Sequence, residues 1–360
     1  MKLAIVLGTR PEIIKMSPVI RACEKHGVDF FVLHTGQHYD YALDGKMFDD
    51  LELARPKYNL GVGGKPYAQQ IGLTLRRMDS VFKAEGVTAI IVQGDTNSVL
   101  AGALAGNKLG ITVVHHEAGL RSHDLSMPEE VNRILTDHIS DVLFVPTKTA
   151  LQNLKLEGVS GKKISLTGNT VVDAVMQNAK LAKKKSRILS KLKLKPKKYV
   201  LVTSHRAENV DSPVKLKGIL DGLDAVGKKL KLPVIFPIHP RTKNNLKKFS
   251  LKVPSSIKLI APQGYLDFLQ LEASTKLIIT DSGGLQEEAS ILKVPCVTIR
   301  ENTERPETTK AGMNVLVGTD PKKILKGAEL MLKKKIRWSK PFGDGRAGET
   351  IVRLMVEKLT

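Results

Sequence analysis

The chain has 360 residues, 42% of them hydrophobic, which exceeds one ordinary core and implies two domains, each able to bury its own apolar layer. A net charge of +21, from 57 Lys and Arg against 36 Asp and Glu, raises a nucleic-acid reading, but the excess lies in runs such as Lys183-Lys184-Lys185 and Lys333-Lys334-Lys335 with little aromatic interleaving for base stacking. Those runs read as solvated faces, so no nucleic-acid partner is expected, and no apolar segment approaches the roughly 20 residues that span a bilayer.

The first predicted strand, 2–7, runs into Gly8-Thr9-Arg10-Pro11-Glu12 without a small-residue cleavage site, so it reads as a strand and not a signal peptide. An amphipathic helix follows over 13–26, and strands over 29–33, 89–93, 112–117 and 142–145 are interleaved with helices such as 68–85 and 98–109. Between 169 and 198 a helical segment over 171–181 gives way to lysine-rich, proline-containing sequence, which places the domain boundary near Gly168. The alternation then restarts with strands over 199–203, 233–237, 257–260, 277–280 and 295–299. A loop over 340–346 leads to a closing amphipathic helix over about 348–360. Strands alternating with helices predict βαβ units and parallel sheets. The predicted fold is α/β: two Rossmann-like parallel-sheet domains, 1–168 and 169–347, facing across a cleft, with the closing helix packed back on the first. With aromatics at 4%, both cores must be built from Ile, Leu, Val, Ala and Met. Cys23 and Cys296 lie in apolar surroundings and in no metal-ligand spacing, so they read as reduced core thiols of a cytoplasmic protein.

Ligands of open parallel sheets bind beyond the carboxyl ends of the strands, so the turns after strands carry the chemistry. Gly8-Thr9-Arg10-Pro11-Glu12 is either an anion site or an ordinary βα turn, and it lacks the GxGxxG spacing of nicotinamide enzymes. Ser282-Gly283-Gly284 opens a helix after a buried strand and suits a diphosphate, with tight packing as the other use of a glycine pair. Glu287 and Glu288, one turn into that helix, are macrodipole partners or acceptors for sugar hydroxyls. Three histidine-bearing runs follow strands: His115-His116-Glu117, Ser204-His205-Arg206 and Ile238-His239-Pro240-Arg241. Adjacent side chains on a strand point to opposite faces and no Cys joins the first run, so no metal site is expected. Asp95 and Glu117 follow successive strands, where both carboxylates could enter one crevice. Glu129 opens a helix, where its plain structural use is to favour the N-terminus and to pair with Arg133.

In this order the runs Gly8 to Glu12, Thr35-Gly36-Gln37-His38-Tyr39-Asp40, Gln93-Gly94-Asp95-Thr96, His116 to Ser122, Pro128-Glu129-Glu130-Val131-Asn132-Arg133, Gly168 to Asp173, Ser204 to Asn209, Asp281 to Glu288 and Thr303-Glu304-Arg305-Pro306-Glu307 span nearly the whole chain. They resemble the non-hydrolysing UDP-N-acetylglucosamine 2-epimerases, a family with the two-domain GT-B glycosyltransferase fold. The resemblance implies interconversion of UDP-N-acetylglucosamine and UDP-N-acetylmannosamine by elimination of UDP to a 2-acetamidoglucal and readdition, with no cofactor. It implies that Asp95, Glu117 and Glu129 are the acid/base carboxylates, leaving open which is base and which is acid, and that His205 assists at the diphosphate. Arg10, Lys15, Ser282, Gly283, Gly284, Glu288 and Arg305 would hold UDP, with Gln263 and Phe268 around the uracil. It further implies a homodimer and a second, regulatory UDP-sugar site using Gln37, His38, Gln70, Arg206 and His239. Two other activities fit the same fold: a hydrolysing epimerase that releases free N-acetylmannosamine, and a retaining glycosyltransferase that passes the sugar to an acceptor.

Overall fold

Strands sandwiched between helices keep no solvated face, so the central strands of both sheets are short runs rich in Val, Ile and Leu, with polar residues mostly at their ends. The structure, a computed structural model, describes residues 1–37 and 41–359. It divides into two units, one made of Met1–Ala174 with Phe342–Thr360 and the other of Val175–Pro341.

The first unit begins β1 (Lys2–Leu7), α1 (Arg10–Lys25), β2 (Asp29–His34), α2 (Tyr41–Asp50), β3 (Tyr58–Asn59), α3 (Tyr67–Glu85), β4 (Ala89–Gln93) and α4 (Asn97–Lys108). It continues with β5 (Thr112–His116), α5 (Pro128–Ile139), β6 (Val142–Val145), α6 (Lys148–Leu156) and β7 (Ile164–Leu166), and α7 (Thr170–Lys185) leads into the second unit. There follow α8 (Ile188–Lys191), β8 (Val200–Thr203), α9 (Ala207–Val210), α10 (Pro213–Leu230), β9 (Val234–Pro237), α11 (Pro240–Lys248), β10 (Ile257–Ile260) and α12 (Tyr265–Ser274). The second unit ends with β11 (Leu277–Thr280), α13 (Gly283–Ile291), β12 (Cys296–Thr298), α14 (Pro306–Lys310), β13 (Asn314–Leu316) and α15 (Pro321–Lys333), after which α16 (Ala347–Leu359) rejoins the first.

Every strand pair is parallel, and the sheet orders are β3-β2-β1-β4-β5-β6-β7 and β10-β9-β8-β11-β12-β13. The order of strands across each sheet reverses between β1 and β4 and between β8 and β11, and open parallel sheets take their ligands beside such switch points, beyond the carboxyl ends of the strands. The cores flank the sheets. In the first unit Val6, Leu33, Met78, Phe82, Ile90, Val92 and Val113 fill one such layer, and in the second Val202, Leu220, Leu223, Phe236, Ile279 and Ile324 fill another. Cys23 and Cys296 are buried thiols, and burial pushes both up to about 12.

The strands β3, β7 and β13 are additions to the sequence reading; they have two or three residues each and end their sheets or nearly so, too short for any periodicity to register. Helix α1 starts at Arg10, three residues before the apolar period becomes visible, because Glu12 at the third helical position reaches back to accept the Thr9 amide at 2.7 Å. Pro18 lies inside α1 and leaves the carbonyl of Ile14 without its usual amide; the Ser17 hydroxyl donates to that carbonyl at 2.8 Å. Helix α16 docks on α1 at this spot. A Cβ on Gly348 would fall 2.9 Å from the Pro18 backbone, so only glycine permits the approach, while the Gly348 amide donates to Asp173 at 2.9 Å. Lys25 and His26 reach Glu349 at 2.7 and 2.6 Å from the other end of the same seam. Among the described residues no helix is long and apolar enough to cross a membrane.

Candidate active site

The first unit gathers its polar groups where β1, β4 and β5 end. The turn after β1 does attract an anion, but the anion is the protein's own: Glu12 is buried and accepts the amides of Gly8 at 2.5 Å and Thr9 at 2.7 Å and the Thr96 hydroxyl at 2.6 Å. Burial lifts this carboxyl to about 7 although those three donors pull it down. Arg10, at the start of the helix, is exposed.

Strand register brings two of the predicted carboxylates to neighbouring strand ends. Gln93 of β4 pairs with His116 of β5, so Gly94-Asp95 and Glu117 leave the sheet side by side. The sequence reading carried β5 through Glu117, whereas the strand stops at His116 and Glu117 adopts φ 67°. Left-handed backbone is costly for a residue with a Cβ and persists where surrounding contacts impose it. Those contacts are Lys15 Nζ, which donates to both Glu117 oxygens at 2.9 Å, and the Gln93 side-chain amide, which donates to one of them. Lys15 therefore holds the Glu117 carboxylate.

Asp95 is fixed from α5. Arg133 donates to its Oδ2 through Nε at 3.0 Å and Nη2 at 2.6 Å, and Asn132 donates to its backbone carbonyl at 2.9 Å. Arg133 was expected to pair with Glu129; it pairs with Asp95 and, at 2.6 Å, with Glu130, because Glu130 faces inward and Glu129 outward. Glu130 also accepts the amides of Ser122 and His123 at 2.9 and 2.8 Å, which pins the short loop before α5; burial opposes its charge, yet these donors hold it below the usual carboxylate range. Glu129 is exposed one helical turn before Arg133, on the same end of α5 that holds Asp95.

The two histidines of β5 are structural. His115 lies between Asp137 Oδ1 at 2.7 Å and the Gly94 carbonyl at 2.9 Å, tying the backbone before Asp95 to α5. Asp137 also takes Arg121 and the Gly119 amide; burial would raise it, but His115 and Arg121 hold it below its ordinary value. His116 faces the opposite way, contacts the Thr170 hydroxyl at 2.9 Å, and is pushed down to about 4 by burial, so it is neutral near pH 7. Of the remaining residues assigned here from sequence, Gln37 accepts from the Ser98 amide and hydroxyl at 3.1 and 2.7 Å, and its carbonyl accepts from Gln70 at 3.4 Å. His38 lies outside the described residues.

In the second unit the turns after β8 and β11 meet through Asp281. Its fully buried carboxylate accepts the amides of His205 and Arg206 at 2.9 and 3.0 Å and the Ser204 hydroxyl at 2.9 Å, and it stands 3.4 Å from His205 Nδ1. Asp281 belongs to the motif over 281–288, whose spacing alone does not reveal this task. The His205 imidazole is lowered, chiefly by burial, with Asp281 opposing; its ring centroid lies 5.6 Å from that of His239. Helix α13 begins at Gly283 with no side-chain cap from Ser282, so its first amides and the positive end of its dipole are open to an acceptor. Gly284 is exposed there.

Arg305 reaches Glu287 at 2.6 Å, which assigns Glu287 to holding that guanidinium, and Arg206 lies 3.7 Å from Glu304. Gln263 donates to the Ala261 carbonyl at 2.6 Å, and Phe268 is partly buried against the apolar layer of Tyr199 and Leu271. Glu288 is half-buried on the second turn of α13. No group of three His, Cys, Asp or Glu among the described residues is arranged to hold a metal ion.

A family model described as UDP-N-acetylglucosamine 2-epimerase matches residues 21–356. The UDP-N-acetylglucosamine 2-epimerase of Methanococcus maripaludis is 52% identical to the chain over 361 residues, with 98% of each sequence covered. That of Methanocaldococcus jannaschii is 51% identical over 361 residues, with 99% of each covered. In three dimensions the chain is similar to the crystal structure of the M. jannaschii UDP-GlcNAc 2-epimerase in complex with UDP-GlcNAc and UDP, at a TM-score of 0.84 and 50% identity over 99% of this chain and 100% of that one.

Proposed function

We propose, since this chain belongs to the UDP-N-acetylglucosamine 2-epimerase family, that it is the non-hydrolysing enzyme that interconverts UDP-N-acetylglucosamine and UDP-N-acetylmannosamine. Carbon 2 of the sugar has no adjacent carbonyl, so its proton is not acidic enough for a carboxylate to remove directly. Breaking the bond from carbon 1 to the diphosphate first, with the electron pair leaving on UDP, gives oxocarbenium character next door. Loss of the carbon 2 proton then yields 2-acetamidoglucal, and readdition of UDP with protonation on the opposite face completes the inversion. The net change is redox-neutral and needs no nicotinamide.

The observation that carries the reading is the pair of carboxylates Asp95 and Glu117 fixed at adjacent strand ends beside a switch point. Base and acid must address opposite faces of one ring, which requires more than one such group, and Glu129 on the adjoining end of α5 supplies a third. The open amides at Gly283 and Gly284, with His205, Arg10 and Arg305, are assigned to the charge that develops on the departing diphosphate. Glu288, Gln263 and Phe268 are assigned to the nucleoside. The reading requires both units to act on one UDP-sugar, with a hinge over 168–173.

Further parts of the proposal are a homodimer working in the cytoplasm, where two buried thiols stay reduced, and a second UDP-N-acetylglucosamine acting as effector through Gln37, Gln70, Arg206 and His239. The relative solved with both UDP-GlcNAc and UDP supports the effector. Proton NMR of UDP-N-acetylglucosamine with the protein in D₂O tests the chemistry: the manno isomer should appear with deuterium at carbon 2 and without accumulation of free N-acetylmannosamine. Free N-acetylmannosamine and UDP in equal amounts would convert the assignment to the hydrolysing reaction, and an unchanged spectrum from folded protein would sink both.

A further inference from the structure

Glu272 sits on α12 with no solvent exposure, beside an apolar layer formed by Tyr199, Leu271, Ala289 and Cys296. Among the described residues no amide, hydroxyl or cation donates to either of its carboxyl oxygens. Its polar neighbour in hydrogen-bond contact among those residues is another carboxyl, that of Glu288 on α13. Two carboxylates in contact inside an apolar layer repel and lose hydration together, so one of the two must carry a proton. The proton belongs on the more deeply buried partner, Glu272, and leaves charge on Glu288, which is half-buried one turn beyond the open amides of Gly283 and Gly284.

We propose that Glu272 is a positioning residue: as a neutral acid it donates its proton in a hydrogen bond to one oxygen of Glu288 and so fixes the Glu288 carboxylate as the acceptor for the vicinal hydroxyls of a nucleotide ribose. The proposal rests on the assignment of UDP to this unit. A carboxylate with one oxygen already engaged has a defined plane, which suits a diol better than a freely rotating side chain does. Burial and the Glu288 charge both act to keep Glu272 protonated, in the direction the pair requires. The other titratable groups that feel it are the Tyr199 hydroxyl and the Cys296 thiol; burial raises both, Cys296 to about 12, so neither brings a charge near pH 7.

The full-length protein, Glu272→Gln and Glu272→Met are titrated calorimetrically with UDP and with 2′-deoxy-UDP near pH 7, above the second phosphate ionisation. Gln keeps a donor towards Glu288, whereas Met fills similar space without one. The wild type should prefer UDP over the deoxy nucleotide by roughly tenfold or more, the value of a hydrogen bond to a charged group. Glu272→Met should bring that ratio close to one with the deoxy affinity unchanged; Glu272→Gln should keep the ratio, because its amide still donates to Glu288. If Met does not fold, the Gln comparison decides alone: a ratio that falls to one in folded Glu272→Gln overturns the proposal. A ratio preserved in Glu272→Met overturns it as well, while UDP binding stands. Folded wild type that binds no UDP at all removes the assignment of the nucleotide to this unit, and the proposal with it.

Discussion

The two units build the same strand order and then treat their strand-end amides differently. In the first, the amides of Gly8 and Thr9 close on Glu12, three residues along the same helix. In the second, the equivalent amides of His205 and Arg206 after β8 close on Asp281 from the neighbouring strand, and α13 keeps its own amides open. A strand–turn–helix unit therefore creates an anion site in both halves, and an acid of the chain occupies it wherever one is within reach. What remains for a ligand is set by the leftover: carboxylates in the first unit, amides and His205 in the second.

The largest effect on that contrast should come from Glu117→Gln, which removes acid/base chemistry from the first unit and leaves the second intact. Turnover should fall by roughly 10²- to 10⁴-fold while UDP affinity, measured by calorimetry, stays near wild type. A parallel loss of UDP binding would show that the labour is not divided in this way. Next in size is Asp281→Ala. It strands the buried donors of Ser204, His205 and Arg206 and should cost about 3 kcal/mol in denaturant unfolding, with weaker UDP binding. Unchanged stability together with normal UDP affinity would mean that those donors find water.

Smallest at acid pH, where Gln and a protonated Glu are alike, is Glu12→Gln. A buried carboxyl raised to about 7 contributes fully below its unfolded value of 4.5 and loses that contribution as pH rises through 7. The loss builds at roughly 1.4 kcal/mol per pH unit between those values and approaches its limit, on the order of 3 kcal/mol, near pH 7. Gln keeps one acceptor oxygen for the Gly8 and Thr9 amides without charging, so the variant should gain on wild type progressively between pH 4.5 and pH 8, about a unit beyond the midpoint, in a series of melting curves. A constant difference across the series would place the titration elsewhere.

The central strands were legible because β1, β4 and β8 are continuous apolar runs of the length a buried strand needs. Asp95 and Glu117 could be placed on neighbouring strand ends for the same reason, since parallel register follows from strand order. The partner of Arg133 was not legible: local spacing favours Glu129, and only the packing of α5 turns the guanidinium inward to Asp95 and Glu130. Nor could spacing tell that the first glycine turn is filled by Glu12, or that Glu272 lies against Glu288, because both depend on which side chain tertiary packing deprives of water. The left-handed backbone at Glu117 breaks the local preference of its residue type, as sites with imposed geometry do.

The glycine seat for α16 on Pro18 has a consequence for biogenesis. The first unit is completed by a segment that is translated only after all of the second, so on the ribosome Val175–Pro341 can finish folding while its predecessor still lacks a helix. The apolar seam of α1 beneath Gly348, Ile351 and Met355 must then wait uncovered until α16 has itself left the ribosome, a window in which a chaperone has something to hold.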